Sequence, residues 1–464
     1  MNSNGNYETQ VANFLAYKLG MNEMFLAELC IAKFQDCIRW NVSVGKWMIF
    51  NYETGLWDRR DETPIVEMIR HVLDEIRQIE AQMIMSHGSS RASRIREIER
   101  ACSSGFINGT AKLMTSYKII HIEETGFDTN KLLVGLQDAQ CLDLSTCTVR
   151  NIQANDFLTK RLGCKFAPDA SYEYWEELVL QWSCDDKELA QFLQTWAGYS
   201  LSGLVTEQAF LFLYGSGNNG KSVYVNTLYK ILGGYADSVN SEALMQRLKG
   251  HGPSTEVAKL IGTRLVISNE LPEGKFFDEK LINNLTGGEV VTARHLFERD
   301  TSFFPQLKLI ISGNHKPIVK GTADGFWRRM RLVLFDASIK YPDPHLNDKL
   351  NQQLSGILNW MIEGWKLYKE EDKIPVPRAV EMQSRQYRDD MDLIQQWIEE
   401  CIVEDDQGSI PARDLYQSYS SWCVRNGFQP KSNNRFSEEF IKKTGALKKR
   451  TNGPNIYLGF KLLF

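Results

Sequence analysis

Residues 209–222, Ala-Phe-Leu-Phe-Leu-Tyr-Gly-Ser-Gly-Asn-Asn-Gly-Lys-Ser, constrain the fold more than any other stretch of this 464-residue chain. The apolar run reads as a buried strand. The octet Gly215, Ser216, Gly217, Asn218, Asn219, Gly220, Lys221 and Ser222 fits GxxxxGK[ST] and opens a helical pattern. A strand, a glycine-rich turn and a helix in that order make a phosphate loop. Backbone N–H groups close around phosphate oxygens, and the helix dipole favours the negative charge. Lys221 is placed to reach the β- and γ-phosphates, and the Ser222 hydroxyl to hold Mg²⁺. A glycine turn that binds nothing is the alternative, and the flanking strand and helix argue against it. The motif alone specifies a nucleotide such as ATP and no particular reaction, because kinases, GTPases and motor ATPases share it.

The surrounding sequence has the rhythm of an α/β domain. Between residues 206 and 375, the segments AFLFLY, RLVIS, VVTAR, LKLIIS and RLVLF alternate with helical stretches, which predicts a largely parallel sheet. His345 to Tyr368 keeps its apolar residues on one helical face. Before residue 150 the chain reads as mixed and mainly helical. It holds a strand pair within 45–58 and a helix opened by Thr63-Pro64, with Ile65, Ile69, Val72, Leu73 and Ile76 on its apolar face. Residues 151–205 carry two Trp-rich helices and read as a linker or oligomerisation segment. After Pro375 and Pro377, residues 376–464 read as a linker, three helices and a hairpin-like end, the pattern of a winged helix.

Two downstream strands end in polar residues suited to work on a bound triphosphate. RLVISNE places Glu270 where it can polarise an attacking water, unless it simply meets solvent at a strand end. LKLIISGN ends in Asn314, which can hydrogen-bond both a γ-phosphate and that water, or else is a turn residue. Phe326-Trp327-Arg328-Arg329-Met330-Arg331 then precedes another apolar strand. Arginines this far from their own phosphate loop suit a neighbouring subunit's γ-phosphate.

In this order the motifs resemble the superfamily 3 helicases, specifically the phage/plasmid primase-helicase family related to the poxvirus primase-helicase. GSGNNGKS is similar to Walker A, RLVISNE to Walker B, residues 285–297 to the B′ segment with its DNA-contacting hairpin, LKLIISGN to motif C, and FWRRMRLVLF to the finger region. The resemblance implies an α/β, AAA+-like P-loop ATPase core with a helical region before it and a winged helix after it. It implies an ATP- and Mg²⁺-dependent DNA helicase, working as a homohexameric ring that moves 3′ to 5′ on single-stranded or forked DNA. Arg329 aligns best as the finger and Arg328 second; Ser222 and Glu270 would hold the metal. Walker B here is Asn269-Glu270 where many relatives carry two acidic residues. No Asp-x-Asp pair precedes the phosphate loop, so a primase, or a polymerase, is expected as a separate partner. An origin-binding ATPase that does not unwind is the alternative.

Charge narrows where DNA would touch. The chain carries 54 basic and 58 acidic residues, which argues against a protein that coats nucleic acid by bulk basicity. Residues 294–331 hold eight basic against three acidic residues, and 431–464 eight against two. Arg294, His295, Phe297, Arg299 and Lys308 are the candidates for the hairpin, with Arg435 on the recognition helix of the tail. Subunit-interface or surface charge is the competing reading of both segments. The nine scattered cysteines include no CxxC pair, so reduced thiols and no structural zinc are expected. Nothing in the sequence directs the chain to a membrane, and a bacterial host's cytoplasm is the compartment the resemblance implies.

Overall fold

The computed structural model describes residues 7–11, 20–87, 92–246, 255–269, 276–293, 300–314, 316, 319, 324–450 and 455–463. The chain is mixed α/β, built around a five-stranded parallel sheet. Its strands are β8 (Phe210–Tyr214), β9 (Ala236–Ser238), β10 (Leu265–Asn269), β13 (Lys308–Gly313) and β14 (Met330–Leu334), in the order β14-β8-β13-β10-β9. The register aligns Tyr214 with Gly313 on one side and Leu334 on the other, so three strands end level at one rim of the sheet.

The strands are apolar on both faces because both are covered. In β8, Leu211 and Leu213 enter one core and Phe210 and Phe212 the other, the period-2 alternation of a strand. The first face is covered by helices Lys221–Leu232, Glu173–Trp182, Lys187–Tyr199 and Leu354–Glu371, the second by helices Glu279–Gly287 and Arg378–Asp390. The Trp-rich helices read from sequence as a linker segment therefore belong to the core of the sheet. Helix Arg378–Asp390 also packs on it: the backbone N–H of Leu332 donates to Ser384 Oγ at 3.0 Å, and Tyr387 is fully buried.

Gly198 shows how tightly the first face is closed. A Cβ there would stand 2.1 Å from the backbone nitrogen of Trp365 on the facing helix. Gly198→Ala is expected to destabilise the protein by at least about 2 kcal/mol, read as a lower denaturation midpoint at unchanged slope.

Before this domain, β1 (Ile38–Asn41), β2 (Lys46–Asn51), β3 (Leu56–Arg60) and β4 (His121–Ile122) form a sheet in the order β3-β2-β1-β4. Helix Thr63–His87 lies in the same unit, and its five predicted core residues are all buried. A meander of β5 (Leu133–Gly135), β6 (Gln140–Asp143) and β7 (Thr148–Asn151) follows, in a region whose sequence reads as mainly helical. Two short strands, β11 (Val291–Ala293) and β12 (Thr301–Phe303), pair antiparallel outside the main sheet. Within the VVTAR segment, Val291–Ala293 is thus a strand, but not one of the parallel set.

At the far end, helices Leu393–Cys401, Ala412–Arg425 and Asn433–Thr444 pack with an antiparallel sheet of β15 (Ile402–Pro411), β16 (Leu447–Lys449) and β17 (Ile456–Leu462), in the order β15-β17-β16. Among the described residues all nine cysteines are free. No described helix is long and apolar enough to cross a membrane.

Candidate nucleotide-binding site

The loop from Gly215 to Gly220 leaves the end of β8 and enters helix Lys221–Leu232 at the rim where the strands end level. Its backbone takes left-handed conformations at Gly217 (φ 106°), Asn218 (φ 49°) and Gly220 (φ 88°). Gly220 has a second constraint, since a Cβ there would stand 2.4 Å from the indole of Trp182. Trp182 meets Trp175 edge-on at 5.5 Å, and Trp175 stacks on Tyr224 of the loop's own helix. Tyr224 closes the contact by donating its hydroxyl to the carbonyl of Leu193 at 2.8 Å. The Trp-rich helices are therefore the floor of the loop.

Lys221 is 5% exposed, and burial lowers its pKa. Its Nζ donates to the Gly215 carbonyl at 2.6 Å, Asn219 Oδ1 at 3.3 Å and Asn314 Oδ1 at 3.4 Å. All three acceptors are uncharged. A desolvated ammonium that, among the described residues, is held by neutral oxygens alone is left for an anion to complete. The last contact joins residues 93 positions apart and brings the loop lysine to the end of β13. Ser222 is exposed in the first helical turn and Asn269 at the end of β10. A buried cation at the start of a helix, followed by an exposed hydroxyl in the first turn, is a donor set that suits a phosphate with its metal. Among the described residues no three His, Cys, Asp or Glu side chains cluster at metal-binding distance.

Glu270 lies outside the described residues, as do Arg294, His295, Phe297 and Arg299; of the strands flanking those four, Ala293 pairs with Thr301. Lys308 corrects the expectation of a DNA contact. It is 1% exposed, with Nζ donating to the carbonyls of Ser202, Leu204 and Gln306, and it lies 4.8 Å from the centroid of the Tyr199 ring. Burial and nearby Arg264 hold its pKa well below the usual lysine value. Lys308→Ala is expected to lower stability by about 3 kcal/mol, since it leaves carbonyls unpaired and a void behind. The folded fraction should bind DNA as tightly as the parent in a salt titration.

The two arginines predicted as fingers differ in exposure. Arg329, the first choice for a finger, is 8% exposed; its Nη1 donates to the Gln208 carbonyl at 3.3 Å and its guanidinium packs against Gly287. Burial and the adjacent Arg328 lower its pKa. Arg328 is exposed, and a side chain that reaches another subunit has to start at the surface. Arg435 is exposed in the first turn of helix Asn433–Thr444. Sequence reasoning missed Trp182 and the buried Asn219 side chain as parts of the loop's support. No local signal marks Trp182, because its contact spans 38 positions; Asn219 sits at a position that the motif leaves open.

Three family models match the chain: D5 N terminal like over residues 24–193, a family of unknown function over 213–329, and poxvirus D5 protein-like over 389–460. A protein of Acanthamoeba polyphaga mimivirus named as a candidate helicase is 26% identical over 324 residues, covering 64% of this chain and 34% of that protein. A candidate helicase of Invertebrate iridescent virus 3 is 24% identical over 410 residues, covering 78% of this chain and 42% of the relative. A candidate primase of African swine fever virus is 23% identical over 245 residues, 47% of this chain and 25% of its own. The chain spans less than half the length of these relatives. Among solved structures, the apo C-terminal region of NrS-1 superposes with a TM-score of 0.49 at 10% identity, over 95% of this chain and 99% of that one.

Proposed function

Because the chain is a member of the poxvirus D5-like primase-helicase family, we propose that it is an ATP-dependent DNA helicase of superfamily 3, assembled as a homohexameric ring that moves 3′ to 5′ on single-stranded DNA. The observation that carries this reading is the contact of Lys221 with Asn314. It joins the phosphate-loop lysine to the residue resembling the motif C asparagine, at the rim of a sheet ordered β14-β8-β13-β10-β9. That order, with one strand between β10 and the loop strand β8, supports an AAA+-like P-loop core. The three helices and the sheet at 393–462 support a winged helix.

In this reading the loop amides and Lys221 hold the triphosphate, and Ser222 with Glu270 holds Mg²⁺. The metal, when bound, neutralises charge that develops on the phosphates. Asn314 orients the water that Glu270 polarises, and Arg328 of a neighbouring subunit reaches the γ-phosphate. Arg294, His295, Phe297 and Arg299 would contact the single strand, while Arg435 would meet duplex phosphates. The setting is replication of a phage, plasmid or other mobile element in its host's cytoplasm. The exposed basic residues Arg435, Lys448 and Lys449 of the C-terminal segment also favour the second reading, an origin-binding ATPase without unwinding. Mass photometry with an ATP analogue and forked DNA tests the ring. Hexamers are expected, and a protein that stays monomeric throughout would make an inter-subunit finger untenable.

A further inference from the structure

Resting on the ATP-site reading above, we infer that Asn219 is a positioning residue, holding the phosphate loop and Lys221 in the arrangement that receives the nucleotide. The position is one of the four that the GxxxxGK[ST] pattern leaves open, so the motif itself assigns it nothing. In the structure Asn219 is 3% exposed, and both ends of its amide are engaged. Nδ2 donates to the Phe335 carbonyl at 2.7 Å, and Oδ1 accepts from Lys221 Nζ at 3.3 Å. The side chain also fills the space above Gly215, where a Cβ would stand 2.4 Å from Nδ2. Phe335 directly follows β14, and its own N–H donates to the Tyr214 carbonyl at 2.7 Å. The amide therefore ties the loop to the edge strand that starts just after Arg328 and Arg329.

Only a neutral amide satisfies both contacts. It presents a donor to a carbonyl and an acceptor to an ammonium, with no net charge to compete with a phosphate. An alanine removes the tether and frees Lys221 from one of its three acceptors. An aspartate of the same size sets a carboxylate against the Phe335 carbonyl and pairs with Lys221, so the cation is held away from the incoming anion. The order of damage follows: aspartate is worse than alanine, although it is the closer isostere.

The experiment compares parent, Asn219→Ala, Asn219→Asp and Lys221→Ala for Mg·ATP turnover, equilibrium binding of a fluorescent ATP and thermal midpoint. For Asn219→Ala we expect KM and the binding constant to weaken about tenfold with kcat within threefold. For Asn219→Asp the expected weakening is at least fiftyfold, and both variants should melt within a few degrees of the parent. Unchanged KM in both, or a fall of kcat that follows the loss of folded protein with KM constant, would overturn the inference; so would an aspartate variant that binds better than the alanine one. If neither variant folds, the residue is structural and the inference fails. Lys221→Ala separates the two levels: if it retains turnover, the ATP-site reading falls, whereas normal Asn219 variants beside a dead Lys221→Ala sink the positioning role alone.

Discussion

Lys221→Ala is expected to reduce ATP turnover by about 10³-fold while leaving the fold intact. The ammonium is buried against uncharged oxygens and its pKa is lowered by that burial. A cation whose folded-state pKa lies below its ordinary value binds its proton less tightly in the native state than in the unfolded chain. It therefore detracts from stability at neutral pH, and the penalty fades only as pH rises through the folded value toward that of free lysine. Removing the cation lifts that penalty but leaves the Gly215 carbonyl and the Asn219 amide oxygen without their donor, so the alanine variant should melt within a few degrees of the parent at pH 7, and fall further below it at alkaline pH. Loss of turnover without loss of stability marks a residue kept for a ligand. A variant that still turns over ATP would show that the phosphate is held elsewhere. Calorimetric melts at three pH values, paired with a phosphate-release assay, give both readings.

Arg328→Ala is expected to match that loss, about 10³-fold in turnover by the assembled protein, with nucleotide affinity changed little. The neighbouring substitution should behave differently. Arg329 is enclosed by its own subunit, bonded to the Gln208 carbonyl and packed on Gly287. Arg329→Ala should show itself first as destabilisation of about 2 kcal/mol. If Arg328 works in trans, mixing inactive Arg328→Ala with inactive Lys221→Ala protein restores part of the activity, because some interfaces then combine an intact loop with an intact finger. No recovery on mixing, together with a dead and fully stable Arg329→Ala, would return the finger to Arg329.

The contrast between these arginines shows what the sequence conveys. Periodicity reports which face of an element is apolar, so helix Thr63–His87 and strands β8, β10, β13 and β14 were legible from residues alone. Ala236–Ser238 was not, since an edge strand of Ala, Asp and Ser carries no apolar alternation; it exists because its backbone pairs with β10. The run from His345 to Tyr368 reads as one helix, but the backbone breaks at Gln353 (φ −110°, ψ 9°), and two helices result.

For the candidate site, the phosphate loop was legible because its chemistry is local. Which charges face solvent was not. Lys308 sits in a basic stretch and looks like a DNA contact, yet as the first residue of β13 it turns inward to carbonyls contributed by residues 202 and 204. Arg264, at the root of the adjacent strand, is likewise fully buried, donating to the carbonyls of Leu201 at 2.5 Å and Leu133 at 2.7 Å. Charge in a sequence records a residue type; the carbonyls that solvate it come from segments far away in the chain.

The most direct test of the central proposal is strand separation on forked DNA carrying either a 3′ or a 5′ single-stranded tail, with ATP and with a non-hydrolysable analogue. The 3′-tailed fork should be unwound with ATP and the 5′-tailed fork left intact, and Lys221→Ala should unwind neither. DNA-stimulated hydrolysis with both forks intact would contradict the proposal and favour an ATPase that assembles on DNA without opening it.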